Sequence, residues 1–272
     1  MDAAEYSKNG KRDIHYGDPC CDIRDNRAYW NNKTERGDGM RKILVFFVIF
    51  VVLSGCISQK EETKKKDLDL KIGEEHTYEF YSDGNYIGYN RYRVTGKEGE
   101  NYLIESEVNL EKLGLKMNAK YTITKECMPV RYEFVAYVNN EKQTVSCEFK
   151  KGSVHEVATK GEQRFEKDIK LEEGTYLIDN NMIGQMALML RTMELKIGDS
   201  YVIPMFAAQP MKALKIEMKV EGIEKVDGYE CYKLDFPELR YYIYVSDGKL
   251  IKMETKDKTL VIILKEEEKH EK

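Results

Sequence analysis

The sequence is poor in several residue types and motifs, and each absence excludes a class of protein. Its 272 residues include only 5 prolines, 19 glycines and 6 cysteines, too few for a collagen-like, proline-rich or disulfide-scaffold chain. No HExxH, GxSxG, P-loop or GxGxxG motif occurs, so metalloprotease, esterase and nucleotide-binding functions lack a signature. We therefore predict a protein that is not an enzyme and has neither a cofactor nor a metal site.

Charge and hydropathy exclude two further classes. The chain has 44 basic and 48 acidic side chains and a net charge of -4 at pH 7, whereas a nucleic-acid binder normally presents a basic surface. Hydrophobic residues make up 42% of the sequence, which is enough to bury a core and excludes wholesale disorder. We predict no nucleic-acid partner, and a folded region of one large domain or two small ones.

Residues 40–56, MRKILVFFVIFVVLSGC, have the layout of a secretory signal. Arg41 and Lys42 supply the positive charge, residues 43–53 are apolar throughout, and Ser54 and Gly55 are small. Charge, apolar run and small residues follow in the order that a signal peptide requires. The apolar run is too short for a comfortable membrane span, which needs roughly 20 residues.

The end of this segment, Leu53-Ser54-Gly55-Cys56, resembles the lipobox of prokaryotic membrane lipoproteins. The resemblance implies cleavage before Cys56, attachment of lipid to its sulfur, and a domain anchored on the extracytoplasmic side of the cell membrane. The alternative is an uncleaved short membrane anchor that carries an incidental cysteine.

The chain divides into five regions by composition. We interpret residues 1–39, which show no helical or strand period, as a non-native or disordered extension before a start at Met40; the alternative is a cytoplasmic extension. Residues 40–55 are the signal peptide, and 56–66 form a polar, lipid-anchored tether. Residues 67–265 form the globular domain, and 266–272 are a charged tail.

The globular domain reads as mainly β. Short runs with period-two alternation are separated by turn signals such as Asp83-Gly84, Asp227-Gly228 and Asp247-Gly248, which accept the positive φ of tight hairpins. Residues 130–138 are predicted to pair with 143–150. We predict about thirteen strands, arranged as a curved antiparallel meander or half-barrel with one apolar helix packed on its concave side.

The helix is predicted over residues 180–193, with Asp179 or Asn180 as its N-cap. Four methionines share one helical face at spacings of four, three and four: Met182, Met186, Met189 and Met193. A flexible, polarisable methionine face adapts to irregular apolar ligands, so these four are candidate ligand-binding residues, to which Met205, Met211 and Met218 could add. The alternative is that the stripe is simply the core face of the helix.

The C-terminal part, residues 175–264, resembles an uncharacterised class of cell-envelope domains in which a helix is followed by a strand, a turn region and a final hairpin. The motifs that carry the resemblance are Gly198-Asp199, Val220-Glu221-Gly222-Ile223-Glu224 and Val245-Ser246-Asp247-Gly248 with Lys249-Leu250-Ile251. That class is similar in architecture to the Lol-type lipoprotein carriers. The resemblance implies a curved antiparallel sheet that is plugged by helices and holds acyl chains.

Three cysteines lie in the globular domain. Cys127 and Cys147 flank one predicted hairpin, and a disulfide is permitted outside the cytoplasm, so these two are a possible pair. The alternative is that Cys127, Cys147 and Cys231 are buried and reduced.

The sequence supports two functions of different classes. The first is a non-enzymatic binder or carrier of a hydrophobic envelope ligand, either a lipid or another apolar molecule. The second is a structural or accessory cell-surface protein that acts through an envelope protein partner. An apolar cavity favours the first function and an exposed sheet edge favours the second, whereas buried carboxylates with shifted pKa values would favour an enzyme.

Overall fold

Alternation of inward apolar and outward polar side chains builds the long strands of this protein. The structure is a computed structural model, and it describes residues 66–138 and 141–265. Cys56 and the signal peptide lie outside the described residues, as does the tail 266–272. Strand Asn101–Leu110 shows the rule, since Tyr102, Ile104 and Val108 are buried while Glu105 is exposed. Burying each such side chain contributes about 1.5–3 kcal/mol.

The described residues contain fifteen strands, one α-helix and one short 3-10 helix at Glu111–Leu113. The first eight strands are β1 Glu75–Ser82, β2 Asn85–Glu98, β3 Asn101–Leu110, β4 Leu115–Ile123, β5 Pro129–Val138, β6 Glu141–Lys150, β7 Ser153–Lys160 and β8 Gln163–Lys170. The others are β9 Tyr176–Ile178, β10 Ser200–Ala207, β11 Lys212–Val226, β12 Tyr229–Phe236, β13 Tyr241–Ser246, β14 Lys249–Thr255 and β15 Leu260–Leu264. The helix α1 spans Ile183–Arg191.

All fifteen strands belong to one open, curved sheet. Its order is β8-β7-β6-β5-β4-β3-β2-β1-β15-β14-β13-β12-β11-β10-β9. Every neighbouring pair is antiparallel except β9 and β10, which run parallel. The chain therefore forms two meanders that are joined by the pairing of β1 with β15, and β8 and β9 are the two edge strands.

The sheet curls until its two edges face each other. Residues 171–175 join β8 to β9, although these strands lie at opposite ends of the sheet order, and a link of that length spans at most about 20 Å. Phe149 on β6 meets Phe206 on β10 edge-to-face, with ring centroids 5.7 Å apart. We call the gap between β7–β8 and β9–β11 the seam.

Helix α1 packs against β2, β9 and β14, and its residues Ile183–Leu190 are all buried. Seven of these eight residues are apolar and the eighth is Gln185. A helix that is buried on every side must be enclosed, and the curved sheet encloses this one. Gly184 allows the close approach, because a Cβ there would lie 2.6 Å from the ring carbon Cδ1 of Tyr92. The backbone N–H of Gly184 donates a hydrogen bond to Asn90 Oδ1 at 3.1 Å.

An ion pair fixes the C-terminal end of the helix to the sheet. Arg191, in the last turn, pairs with Glu74, which also accepts a hydrogen bond from His76 Nε2 at 3.1 Å. A cation in this position complements the negative end of the helix dipole. Burial opposes ionisation of Glu74, but the bonds from His76 and Arg191 outweigh it and lower its pKa to about 2.

The predicted fold class is confirmed: the domain is a curved, mainly antiparallel sheet with one apolar helix. The pairing of β5 with β6 across residues 139–140 is confirmed as well. The predicted helix was too long, because Asn181 has a left-handed φ of 62° that no helix continues through. The predicted N-cap is wrong, since Met182 occupies that position without a side-chain cap.

Candidate functional site

A cavity of about 350 Å³ opens where the seam meets the residues that join β8 to β9. Ligand pockets in proteins range from about 300 to 1,000 Å³, so this cavity has the size of a small site. Its lining is Lys170, Leu171, Glu172 and Thr175 on one side and Pro204, Met205, Ala213, Leu214 and Lys215 on the other. Each side thus belongs to a different end of the sheet.

The cavity has an apolar floor and a charged rim. Met205 is buried in the main core, and Leu171 and Leu214 pack against that core. At the rim, Lys215 Nζ lies 2.7 Å from Glu172 Oε1. Lys170 is exposed at the end of the edge strand β8. Such an arrangement accommodates an apolar chain below and a polar group above.

Behind the seam, a row of inward-facing side chains crosses five neighbouring strands. Tyr121 on β4 is opposite Tyr132 on β5, which is opposite Cys147 on β6. Cys147 is opposite Glu156 on β7, which is opposite Lys167 on the edge strand β8. Directly opposite residues have Cβ atoms about 4.5–5.5 Å apart, so this row leads from the core to the seam.

Glu156 is a fully buried carboxyl group in that row, with 0% of its surface exposed. Within the described part of the chain, neither of its oxygens has a hydrogen-bond partner. Burial, followed by the nearby charge of Asp179, raises its pKa to about 8, although Lys167 opposes the shift. Glu156 is therefore mostly protonated at pH 7, and a buried polar group without a partner is uncommon in folded proteins.

Asp179 follows β9 and points into the same interior. Tyr132 donates a hydrogen bond to Asp179 Oδ2 at 2.6 Å, and the backbone N–H of Asn180 donates to Oδ1 at 2.9 Å. These bonds lower its pKa, but complete burial outweighs them and raises it to about 6. Asp179 is thus ionised at pH 7, and its contact with Tyr132 on β5 spans the interior between the two ends of the sheet.

The four predicted methionines all lie in the main hydrophobic core. Met182, Met186, Met189 and Met193 are between 2% and 8% exposed. None of them lines the seam cavity, whereas Met205 does. Only Met186 and Met189 lie within α1, whereas Met182 is its N-cap and Met193 follows its C-cap. All four are buried behind the cavity, in the same core as its floor.

The possible disulfide between Cys127 and Cys147 is not formed, because Cys147 is a buried free thiol. Cys127 lies in the turn before β5, whereas Cys147 is opposite Tyr132. Tyr132 is three residues beyond the start of β5 at Pro129, or about 10 Å along the strand. A disulfide needs Cα atoms within about 7 Å. The predicted lipid-anchor residue, Cys56, lies outside the described residues.

In residues 66–138 and 141–265, no three His, Cys, Asp or Glu side chains are grouped so that they could hold a metal ion. In the same ranges, no helix has the length and hydropathy needed to cross a membrane.

Sequence reasoning missed Glu156 and the role of Asp179. Within 153–159, Val154, Glu156 and Ala158 share one face of a strand, and that alternation could have placed an acidic residue on the inner face. The sequence VHEVAT is ambiguous, however, because the opposite face carries His155 and Val157. Only the sheet register decides which face is buried.

Comparisons with known proteins identify a family and two similar folds. The profile of the family described as "Protein of unknown function (DUF3108)" matches residues 69–269. A beta-barrel-like protein of domain of unknown function DUF1849 from Brucella abortus has 11% sequence identity and a TM-score of 0.41, over 71% of this chain and 95% of that chain. A DUF1089 family protein from Pseudomonas aeruginosa has 11% identity and a TM-score of 0.34, over 60% and 87%. No curated protein matches the sequence.

Proposed function

The chain belongs to the DUF3108 family, whose description assigns no activity, and from that premise we propose a function based on the seam cavity. The protein is an exported lipoprotein, anchored to the cell membrane through Cys56, that binds or carries a hydrophobic ligand of the cell envelope. It acts as a binder and not as an enzyme. The cavity of about 350 Å³ between the two ends of the sheet is the observation that carries this proposal.

The anchor follows from the order of residues ahead of the domain. Arg41 and Lys42, the apolar run 43–53 and the lipobox end at Cys56. The first described residue, Lys66, donates its backbone N–H to Thr192 O at 2.8 Å, so the chain enters the domain beside the end of α1. Ten residues span at most about 35 Å, which keeps this entry point near the membrane surface.

The ligand class follows from the chemistry of the cavity. Its floor of Leu171, Met205 and Leu214 favours an apolar chain, and the lysine and glutamate side chains at the rim favour a polar group at the end of that chain. The methionine stripe lies behind the floor in the same core. Because methionine has flexible rotamers, we propose that Met182, Met186, Met189 and Met193 repack around a chain that enters past Met205.

Binding of an uncharged apolar dye tests this function. We expect the full chain in detergent to raise the fluorescence of N-phenyl-1-naphthylamine above that of protein-free micelles. Ala213→Trp, which fills the cavity, should weaken this protein-dependent binding at least tenfold. Val202→Trp is the matched control, because Val202 is 53% exposed on β10 and does not line the cavity. Equal binding by both variants would contradict the seam cavity as the binding site.

One observation favours the second candidate, a structural or accessory protein that acts through a protein partner. The edge strand β8 is exposed on both faces, and Phe165 on its inner face is 48% exposed. An open edge offers unpaired backbone groups to an added strand. A photo-crosslinker at Phe165 in intact cells would join a specific protein in this case, whereas one at exposed Thr95 would not.

A further inference from the structure

The two buried carboxyl groups of the interior belong to opposite ends of the curved sheet. Glu156 lies on β7, one strand from the edge strand β8. Asp179 directly follows β9, which is the other edge strand. The charge of Asp179 raises the pKa of Glu156, so the two groups interact through the interior behind the seam.

The groups that face Glu156 come from every strand and turn around it. Cys147 on β6 and Lys167 on β8 are its direct neighbours in the sheet. Asp179 lies across the seam and is hydrogen-bonded to Tyr132 on β5. Lys167 is the cation in this set, and it is exposed at the edge of the sheet. Glu156 itself is fully buried and has no hydrogen-bond partner among the described residues.

We propose that loss of the proton from Glu156 opens the seam and that its protonation closes it, so that access from the cavity to the interior behind Met205 follows pH. Neutral Glu156 packs in a buried interior, whereas ionised Glu156 needs water, hydrogen bonds or a counter-charge. It also faces the negative charge of Asp179 across the seam, and repulsion between these charges pushes the two ends of the sheet apart. The effect on ligand access rests on the proposed function, but the opening itself does not.

The edge made by β7 and β8 is the part that moves. Strand β8 has one hydrogen-bonded neighbour, and its residues are largely exposed, which are features of segments that open locally. Contacts deeper in the interior, such as Phe149 with Phe206 and Tyr132 with Asp179, hold the rest of the curve. Movement of β7–β8 away from β9–β11 brings water to Glu156 and lets Lys167 turn toward it.

Cys147 is a natural reporter of this opening, because it is a buried free thiol directly opposite Glu156. We would label the full chain in detergent with a maleimide between pH 6 and pH 9 and quantify the Cys147 peptide by mass spectrometry. The rate for the unmodified protein is divided by the rate for Glu156→Gln, which removes the intrinsic pH dependence of thiol reactivity. Gln is close in shape to neutral Glu and keeps the interior packed.

The expected ratio rises about tenfold between pH 7 and pH 9, as does the ionised fraction of a group whose pKa is near 8. A negative charge at Glu156 would by itself make the Cys147 thiol harder to ionise and slow its labelling. A rise in the ratio therefore reports opening. A ratio that stays flat or falls would overturn the proposal.

Two further variants separate opening from a general structural effect. Glu148→Gln is the matched control, because Glu148 adjoins Cys147 but is exposed on the outer face of β6; its labelling should follow that of the unmodified protein. Asp179→Asn removes the opposing charge, so the rise should be smaller and its midpoint should move below pH 8. An unchanged rise in Asp179→Asn would contradict repulsion across the seam.

Binding of N-phenyl-1-naphthylamine at each pH distinguishes the inference from the proposed function. If the labelling ratio rises but the dye does not bind at any pH, the opening is upheld and the ligand function fails. If the dye binds with the same rate and affinity from pH 6 to pH 9 in the unmodified protein and in Glu156→Gln, the ligand function is upheld and control of access fails.

Discussion

Glu156 and Asp179 make the stability of the domain fall as pH rises. Their pKa values in the folded protein are about 8 and about 6, against ordinary values of 4.5 and 3.8. The unfolded chain therefore releases these protons first. The stabilisation that each group gives in its protonated form is complete below its ordinary pKa and is lost as pH rises to its raised pKa.

Between about pH 4.5 and pH 8 the free energy of unfolding should fall, and we expect Glu156→Gln to remove most of that decrease. The amide cannot ionise, so the free energy of unfolding of the variant should exceed that of the unmodified protein most clearly at pH 8 and above. Urea unfolding at pH 5, 7 and 9 measures this, with Glu148→Gln as the exposed control. Parallel curves for all three proteins would show that Glu156 ionises freely in the folded state.

Glu74 has the opposite effect, because its pKa is lowered to about 2 by the bonds from His76 and Arg191. The stabilisation it gives is present above about pH 4.5 and is lost as pH falls toward pH 2. Glu74→Gln should lower the free energy of unfolding at pH 7 by about 1–3 kcal/mol, because it leaves the partly buried Arg191 without its counter-charge. A loss that is the same at pH 3 and pH 7 would contradict this account.

At the scale of single residues, the sequence predicts burial better than chemical partners. Met182, Met186, Met189 and Met193 are all buried, as an apolar stripe indicates, but only Met186 and Met189 lie within the helix. Whether they bind a ligand stays a prediction. Tyr132 and Asp179 are 47 residues apart in sequence, and no local pattern indicates that they meet.

The position of helix α1 against β2 depends on Gly184, which has no side chain. Replacing a helical glycine with alanine usually gains about 1 kcal/mol through helix propensity. At Gly184 the added Cβ would lie 2.6 Å from Tyr92, and such overpacking typically costs about 1–3 kcal/mol. The cost of overpacking therefore exceeds the gain in helix propensity for Gly184→Ala, and the helix would have to shift relative to β2.

We accordingly expect Gly184→Ala to lower the free energy of unfolding, with a thermal midpoint several degrees below that of the unmodified protein. Gly222→Ala serves as the control, because a Cβ at Gly222 would meet no atom within 4 Å. Thermal unfolding followed by circular dichroism compares the two variants. An increase in stability for Gly184→Ala would show that the helix is not packed tightly on Tyr92.

Strands in which buried and exposed residues alternate over many positions can be predicted from the sequence. Short strands form only in the context of the rest of the fold. The alternation along β3 or β5 identifies a strand without further information. Strand β9 has only three residues and pairs parallel to β10, so it has neither enough alternation nor a hairpin turn to indicate it. The helix start was misplaced because Asp179, the expected cap, is engaged by Tyr132 and by backbone N–H groups.

At the scale of the whole molecule, the sequence predicts a curved sheet but not how far it curls. Sequential hairpins give the order of strands within each meander. The approach of the two ends depends on contacts between distant segments, such as Phe149 with Phe206. The seam and its cavity are products of that approach, which is why neither was predicted.

The lipid anchor also concerns the whole molecule, because it determines the location of the domain in the cell. We expect Cys56→Ser to release the domain from the membrane fraction into the soluble fraction, or to leave the signal peptide uncleaved, because no thiol remains to receive a lipid. Fractionation of cells, with Ser58→Ala as a neighbouring control, measures this. Membrane retention of a processed Cys56→Ser protein would contradict the lipoprotein assignment.

The most direct test of the central claim is the mass of the protein gently extracted from its own membranes, measured both denatured and native. The account predicts a denatured mass of residues 56–272 plus a covalent lipid, and a native mass that adds a non-covalent apolar ligand. Ala213→Trp should lose that ligand and Val202→Trp should keep it. A denatured mass that contains residues 40–55, or a native protein without a ligand, would contradict a lipid-anchored carrier.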